Sequence, residues 1–133
     1  MPNAIAQFAS AKYLNLETFR KSGIGVCTPV WFAPAPAESG AVSAPEVFYV
    51  YSEADAGKVK RIRNNLKVRV APCDMRGNLR GAWVDGRARI CAGEETARAQ
   101  QLLRRKYGWL KVVGDFFSRL IGHQQVVIAI ELA

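Results

Sequence analysis

Short apolar stretches bounded by turn-forming residues recur along the chain and predict six β-strands. Two of these strands share residues 15–34 and meet at residues 21–23, where glycine accepts the positive φ of a tight turn. The last strand, QQVVIAIEL, is apolar on both faces, which predicts a central position or coverage at an interface. The four strands after the hairpin are predicted at residues 46–52, 67–74, 81–91 and 124–132.

Helical spacing appears in three later segments. Residues 54–65 predict a short helix in which Val59 and Ile62 face the core. The segment at 94–109 carries acidic residues in its first turn and basic residues in its last turn, as helices often do. Residues 110–122 predict a further helix.

The order of these elements predicts a mainly β fold in a single domain, residues 1–133. Residues 4–14 add a short N-terminal helix, and residues 33–46, rich in Ala, Pro, Ser and Gly, predict a long mobile hairpin loop. Asp85-Gly86 predicts a bulge or turn inside the fifth strand. Six mostly antiparallel strands with long connections favour a closed or nearly closed barrel with helices packed on its outside.

The composition adds a strongly basic balance to this picture. The chain has 19 Lys and Arg against 11 Asp and Glu, and its net charge is +8. Such a balance suits an anionic partner (nucleic acid, a membrane surface or a phosphorylated ligand), although charge alone more often reflects a basic soluble surface. No apolar run reaches the roughly 18 residues of a membrane span. The N-terminus lacks a signal-peptide pattern, so we expect a cytoplasmic protein.

The three cysteines, Cys27, Cys73 and Cys91, are odd in number and widely spaced. This pattern argues against a disulfide framework and against a zinc site. We expect buried free thiols in a reducing compartment. The acidic residues show no metal-ligand spacing either, so no metal site is predicted.

The strongest candidate site lies where the third strand gives way to the next helix. Tyr51 and Ser52 end that strand, and Lys58 follows near the start of the helix. A strand-end hydroxyl, a helix N-terminus with unpaired N–H groups and a lysine together suit one phosphate group. The alternative is a solvated basic helix, in which Lys58 and its basic neighbours face water.

Other chemistry is less well supported. The single histidine, His123, forms no recognisable set with serine, cysteine or aspartate, so no catalytic residue is assigned. The glycines at 23–25 and 77–81 match neither the P-loop nor the dinucleotide pattern. Strand aromatics can stack on a flat ring such as a flavin or nucleobase, although each is more often a core residue. They are Trp31, Phe32, Phe48, Tyr49, Tyr51 and Trp83.

Three ordered blocks carry a family resemblance: TPVWF, then FYVYSEADAGKVKRIRNNLKVRVAPCD, then VDGRARI. They resemble the pyridoxamine 5'-phosphate oxidase-like (PPOX) proteins, and are most similar to the small branch described as deazaflavin-dependent enzymes. The resemblance extends from about Ala4 to Leu132. It implies a six-stranded antiparallel split β-barrel of the FMN-binding type, in a homodimer with two cofactor sites at the subunit interface.

The resemblance also implies which residues bind the cofactor. Ser52 and Lys58 match the hydroxyl and the lysine that hold the flavin phosphate, whereas Gly57 stands where the family carries arginine. Lys60 or Arg61 are the nearby cations for that role, although helical spacing directs both elsewhere. The strand at 26–30 corresponds to the one along the flavin ring, with Thr28 at the ring's polar edge. The implied set is Val26, Cys27, Thr28, Pro29, Val30, Tyr51, Ser52, Lys58, Lys60 and Arg61.

We therefore expect an oxidoreductase that uses FMN or a deazaflavin (coenzyme F-420) to reduce a small conjugated substrate. Basic residues beyond the need of one phosphate suit the more anionic deazaflavin coenzyme. Oxidation of pyridoxamine phosphate itself is not expected, because the arginine–histidine substrate motif of the true oxidases is missing near the C-terminus. Two alternatives stay open. One is a non-catalytic cofactor- or haem-binding split barrel with His123 as axial ligand, and the other is a basic nucleic-acid-binding module, which no motif supports.

Overall fold

The computed structural model describes residues 6–35, 46–53, 56–107 and 125–132. Within these ranges the chain forms a 3-10 turn (Ala6–Phe8), β1 (Tyr13–Phe19), β2 (Gly25–Pro34), β3 (Val47–Glu53), α1 (Gly57–Asn64), β4 (Lys67–Cys73), β5 (Val84–Ile90), α2 (Glu94–Tyr107) and β6 (Gln125–Leu132). The predicted helix at 110–122, His123 and most of the predicted loop, residues 36–45, lie outside the described residues.

The six strands form a closed antiparallel barrel in the order β1-β2-β3-β6-β5-β4. Strand β6 pairs with β3 and with β5. Its two faces are both covered, because Ile128 and Ile130 lie in the barrel interior while Val127 and Ala129 pack in the cluster with α2. This arrangement confirms the predicted mainly β fold and the antiparallel barrel.

The first hairpin shows how local sequence sets the register. Gly23 has a φ of 90°, and its N–H donates to the carbonyl oxygen of Arg20 at 2.8 Å. This tight turn places Tyr13 opposite Trp31 at the far end of the hairpin. The predicted helix at 4–14 is wrong beyond residue 8, because Tyr13 already belongs to β1. There Leu14 and Leu16, two residues apart, both face the barrel interior.

Gly86 serves close packing instead of the predicted bulge. Strand β5 keeps an unbroken register with both neighbours, and Gly86 lies opposite Val68 on one side and Leu132 on the other. A Cβ atom at this position would lie 2.9 Å from the carbonyl oxygen of Glu131. The bulge prediction is therefore wrong, since the glycine here permits a close approach of two strands.

Two apolar clusters hold the fold together. The first fills the barrel, where the ring of Phe8 lies 5.9 Å from Phe32 and 5.0 Å from Phe48 between centroids. Val59 and Ile62 of α1 are fully buried in this cluster, as their spacing predicts. The second cluster lies between the outer face of the barrel and α2 and contains Ala33, Tyr49, Tyr51, Cys91, Ala99, Leu103, Val127 and Ala129.

The three thiols are free, and two of them, Cys73 and Cys91, are buried as expected. Cys27 is exposed instead. It lies on β2 near the hairpin turn, on the face opposite Val30 and Phe32, which point into the barrel. In the ranges described above, no helix has both the length and the apolar character needed to cross a bilayer.

Candidate functional site

The shortest ladder between the described strands is that of β2 and β3. It begins with a hydrogen bond from the Ala35 N–H to the Val47 carbonyl oxygen and ends at the pair of Phe32 and Val50. Beyond that pair, β2 runs on beside β1 and β3 runs on beside β6, so β2 and β3 separate. A pocket of about 380 Å³ lies in the resulting opening. Its volume falls in the usual range of small-molecule sites, roughly 300–1,000 Å³.

One wall of this pocket is aromatic. The rings of Tyr13 and Trp31 lie 6.4 Å apart between centroids, at an interplanar angle of 41°. Tyr51 adds a third ring from β3, where most of its side chain is buried against α2. Such faces favour the stacking of a planar ligand ring. The described residues that line the pocket are Tyr13, Pro29, Val30, Trp31, Tyr51, Ser52, Glu53, Ala56 and Lys58.

The opposite wall is polar and lies where β3 ends. Ser52 is buried, and its hydroxyl donates to the carbonyl oxygen of Glu53 at 3.1 Å. A hydroxyl rotates about its C–O bond, so the same group can donate to a ligand oxygen instead. Glu53 is exposed at the rim and contributes a carboxylate to the pocket lining.

Lys58 is the main positive group of the pocket. Its side chain is half-buried in the first turn of α1, and among the described residues it makes no hydrogen bond or ion pair. Burial lowers the pKa of Lys58, the nearby Arg61 guanidinium lowers it further, and Glu53 opposes the shift. A desolvated ammonium without a partner is costly, and an anionic ligand beside it would relieve that cost.

The start of α1 offers further donors. The helix is preceded by Ala56, which lines the pocket in extended backbone conformation (φ −62°, ψ 147°) and makes no side-chain capping bond. No side chain among the described residues caps the N–H groups of the first helical turn, and the positive end of the helix dipole lies at the pocket edge. Both features favour an anion there.

Five of the ten residues proposed from the sequence line this pocket: Pro29, Val30, Tyr51, Ser52 and Lys58. The other five do not.

Three of these five precede the lining residues on β2. Val26 and Thr28 are half-buried, and neither contributes to the lining. Cys27 faces β1, where its Sγ lies 3.8 Å from a carboxylate oxygen of Glu17. Glu17 also accepts hydrogen bonds from Arg69, so this thiol belongs to a separate polar cluster.

The last two are the additional cations of α1. Lys60 is exposed and does not line the pocket. Arg61 turns toward β1, where its Nε donates to the Thr18 hydroxyl at 2.6 Å. Helical spacing directs Lys60 to water, as expected, whereas the long arginine side chain bends back toward the start of α1.

Four lining residues, Tyr13, Trp31, Glu53 and Ala56, are absent from the site predicted from the sequence, although Trp31 was among the aromatic residues that could stack on a ring. The turn at 21–23 was a sufficient signal for Tyr13, because it fixes the register that places this residue opposite Trp31. Glu53 and Ala56 flank the junction of β3 and α1, and only the three-dimensional path of that junction brings them into the pocket.

Helix α2 is clamped behind the aromatic wall. Glu95 accepts a hydrogen bond from the Tyr49 hydroxyl at 3.1 Å and pairs with both terminal nitrogens of Arg89, of which Nη2 lies at 2.7 Å. These bonds, chiefly those from Arg89, hold the pKa of Glu95 at about 2. The clamp keeps α2 against β3, where it also covers Tyr51.

A larger depression of about 720 Å³ lies at the other end of α1, near Asn64. Its cations, Lys67 and Arg87, face the carboxylates of Asp85 and Glu131 in the same lining, so the charges cancel. The C-terminal end of a helix also disfavours anions. Among the described residues, no group of three or more His, Cys, Asp or Glu could hold a metal ion.

No family model matches the sequence, and no curated protein sequence matches it significantly. Solved structures do. A protein related to general stress protein 26, of the pyridoxine phosphate oxidase family, from Clostridium acetobutylicum is similar at 14% identity, 96% and 80% coverage of the two chains and a TM-score of 0.62. An FAD-binding protein from Mesorhizobium loti is similar at 16% identity, 98% and 87% coverage and a TM-score of 0.59.

The haem storage protein HutZ from Vibrio cholerae is also similar, at 12% identity, 97% and 87% coverage and a TM-score of 0.62. Identities this low are informative about the fold alone. Together with the six-stranded antiparallel barrel, they show that the chain has the split-barrel fold of the pyridoxamine 5'-phosphate oxidase-like proteins.

Proposed function

We propose that the protein binds a phosphorylated flavin-type cofactor in the pocket between β2 and β3 and acts as an oxidoreductase on a small conjugated substrate. The observation that carries this proposal is Lys58. Within the described part of the chain, this half-buried ammonium has no partner, and it stands at a pocket of ligand size next to a helix start whose N-cap residue, Ala56, makes no capping bond. The sequence resemblance and the structural neighbours support a flavin as the occupant.

The pocket suits such a cofactor in shape and in charge. Trp31 and Tyr13 offer flat surfaces for the ring, while Ser52, Lys58 and the first turn of α1 lie on the side suited to the phosphate. Its volume of about 380 Å³ is sufficient for a compact mononucleotide. FMN and the deazaflavin coenzyme each carry a planar tricyclic ring and a phosphoryl group, and the net charge of +8 favours the more anionic deazaflavin.

When bound, a flavin passes one or two electrons and a deazaflavin passes a hydride. The residues of this chain bind and orient that group. Lys58 would neutralise the phosphoryl charge, Ser52 would donate a hydrogen bond to it, and Trp31 would fix the ring plane. No side chain is assigned as proton donor.

A homodimer with the cofactor at its interface is part of the proposal, and a cytoplasmic location suits the three free thiols. The pocket is open to solvent on one side, so a second copy can supply the missing wall. Light scattering at micromolar concentration should give the mass of a dimer. A monomeric mass would overturn the dimer while leaving the flavin site to be tested separately.

Titration of the purified protein with FMN, the deazaflavin coenzyme and riboflavin tests the cofactor directly. We expect one of the two phosphorylated compounds to bind more tightly than riboflavin, which lacks the phosphate. A parallel titration with haemin tests the alternative suggested by the likeness to HutZ. A Soret band at one equivalent of haemin, with no binding of either phosphorylated compound, would replace the oxidoreductase proposal with haem binding.

A further inference from the structure

We propose that Arg61 supplies the second cation of the phosphoryl site, and that Gly57 is the residue that makes room for it. This inference rests on the proposed function, because it concerns the phosphoryl group that lies beside Lys58. It identifies a residue that determines affinity although it does not line the pocket itself.

Gly57 and Arg61 lie one turn apart on α1, so they share one face of the helix. Helical side chains lean toward the N-terminus, which directs Arg61 back over the start of α1. A Cβ atom at residue 57 would lie 2.8 Å from Nη1 of Arg61 and 3.6 Å from its Cζ. The guanidinium therefore occupies the space that a side chain at residue 57 would take.

A buried hydroxyl fixes this position. Thr18, 1% exposed on β1, accepts a hydrogen bond from Nε of Arg61 at 2.6 Å. The two Nη groups make no hydrogen bond with the described residues, and Arg61 forms no ion pair with them. The donors best suited to bidentate recognition of an oxyanion are thus held in place and still available.

Lys58 and Arg61 lie close enough for the charge of Arg61 to lower the pKa of Lys58. Among the described residues neither cation has an ion-pair partner, although Glu53 lies near Lys58. Two neighbouring cations repel each other unless an anion compensates both. A phosphomonoester carries close to two negative charges at neutral pH, which matches this pair.

The test compares FMN with riboflavin, which has the same ring without the phosphate. We expect Arg61→Ala to weaken FMN binding about tenfold, the scale of one charge-assisted hydrogen bond at a partly exposed site, and to leave riboflavin binding unchanged. Arg63→Ala is the matched control, since it removes the same side chain from an exposed position on the same helix. It should change neither affinity.

The Gly57→Ala variant tests whether the lack of a side chain at residue 57 matters for FMN binding or for the stability of the protein. Alanine favours a helix over glycine, so the melting temperature should stay equal or rise. The new methyl group would displace the guanidinium, and FMN binding should weaken by at least about threefold. In the Gly57→Ala, Arg61→Ala double variant the two losses should not add, because both remove the same contact.

The outcomes distinguish this inference from the proposed function. Wild-type protein that binds neither FMN nor the deazaflavin coenzyme more tightly than riboflavin would overturn both. Wild-type protein that selects the deazaflavin coenzyme but not FMN would overturn this inference and leave the proposed function standing. Wild-type protein can prefer FMN over riboflavin while Arg61→Ala keeps that preference as fully as Arg63→Ala does. This result would overturn the assignment of Arg61 alone. Equal losses of FMN and riboflavin in a folded Arg61→Ala variant would also contradict it.

Discussion

Replacing Lys58 with alanine removes a pocket cation that has no ion-pair or hydrogen-bond partner in the part of the chain that the structure describes. In the free protein this change should cost no stability, because the ammonium is half-buried and makes no hydrogen bond or ion pair with the described residues. The substitution also removes the repulsion between the charges of Lys58 and Arg61, which should offset the small loss of packing. The substitution should instead weaken the binding of FMN.

The magnitude follows from the contact that is lost. A hydrogen bond between an ammonium and a phosphate oxygen contributes about 1.5–3 kcal/mol. We expect the lower half of this range, because Lys58 is partly exposed and the N–H groups of the α1 start remain. A loss of about 1.5–2 kcal/mol corresponds to a roughly 10- to 30-fold increase in the Kd for FMN.

Quenching of flavin fluorescence provides the assay, with riboflavin as the control ligand and Arg63→Ala as the control variant. Riboflavin affinity should be unchanged in Lys58→Ala, since that ligand carries no phosphate. If the variant bound FMN as tightly as wild type, Lys58 would not contact the phosphate. If it lost both flavins equally, the substitution would have damaged the pocket instead of one contact.

Two further predictions concern the barrel around the site. Gly86→Ala should reduce the free energy of unfolding by about 1–3 kcal/mol, because its methyl group would press on the carbonyl oxygen of Glu131; a loss below about 0.5 kcal/mol in urea unfolding would show that the strands relax freely. Glu95→Gln should cost about 1–2 kcal/mol at pH 7, a figure discounted for the exposure of Arg89. Because the pKa of Glu95 falls from an ordinary 4.5 to about 2 on folding, its contribution is present above pH 4.5 and is lost as the pH approaches 2. The free energies of unfolding of the wild type and the variant should therefore converge over that pH interval. A difference between them that does not change with pH would contradict the role of the Glu95 carboxylate in the clamp.

Most of the barrel could be predicted because its strands carry local signals. The turn at Gly23 fixes the first hairpin, and the apolar residues on both faces of β6 identify a strand that is covered on both sides. The bulge predicted at Asp85-Gly86 failed for a physical reason. Glycine relieves a close contact as well as a backbone kink, and only the neighbouring strand reveals which of the two applies.

The pocket was predictable only in part. Ser52 and Lys58 carry recognisable chemistry at a strand-to-helix junction, so sequence alone brings them together. Arg61 could not be placed in this way, because its direction depends on a hydroxyl of β1, Thr18, 43 residues earlier in the chain. Cys27 was chosen by its position in the strand, whereas its side chain turns to the cluster of Glu17.

A crystal structure of the protein with FMN tests most directly where a phosphorylated flavin binds. We predict that the phosphate lies within hydrogen-bonding distance of Lys58 Nζ and of the first turn of α1, with the ring against Trp31. FMN bound elsewhere, such as in the depression near Asn64, or a phosphate turned away from Lys58, would contradict it.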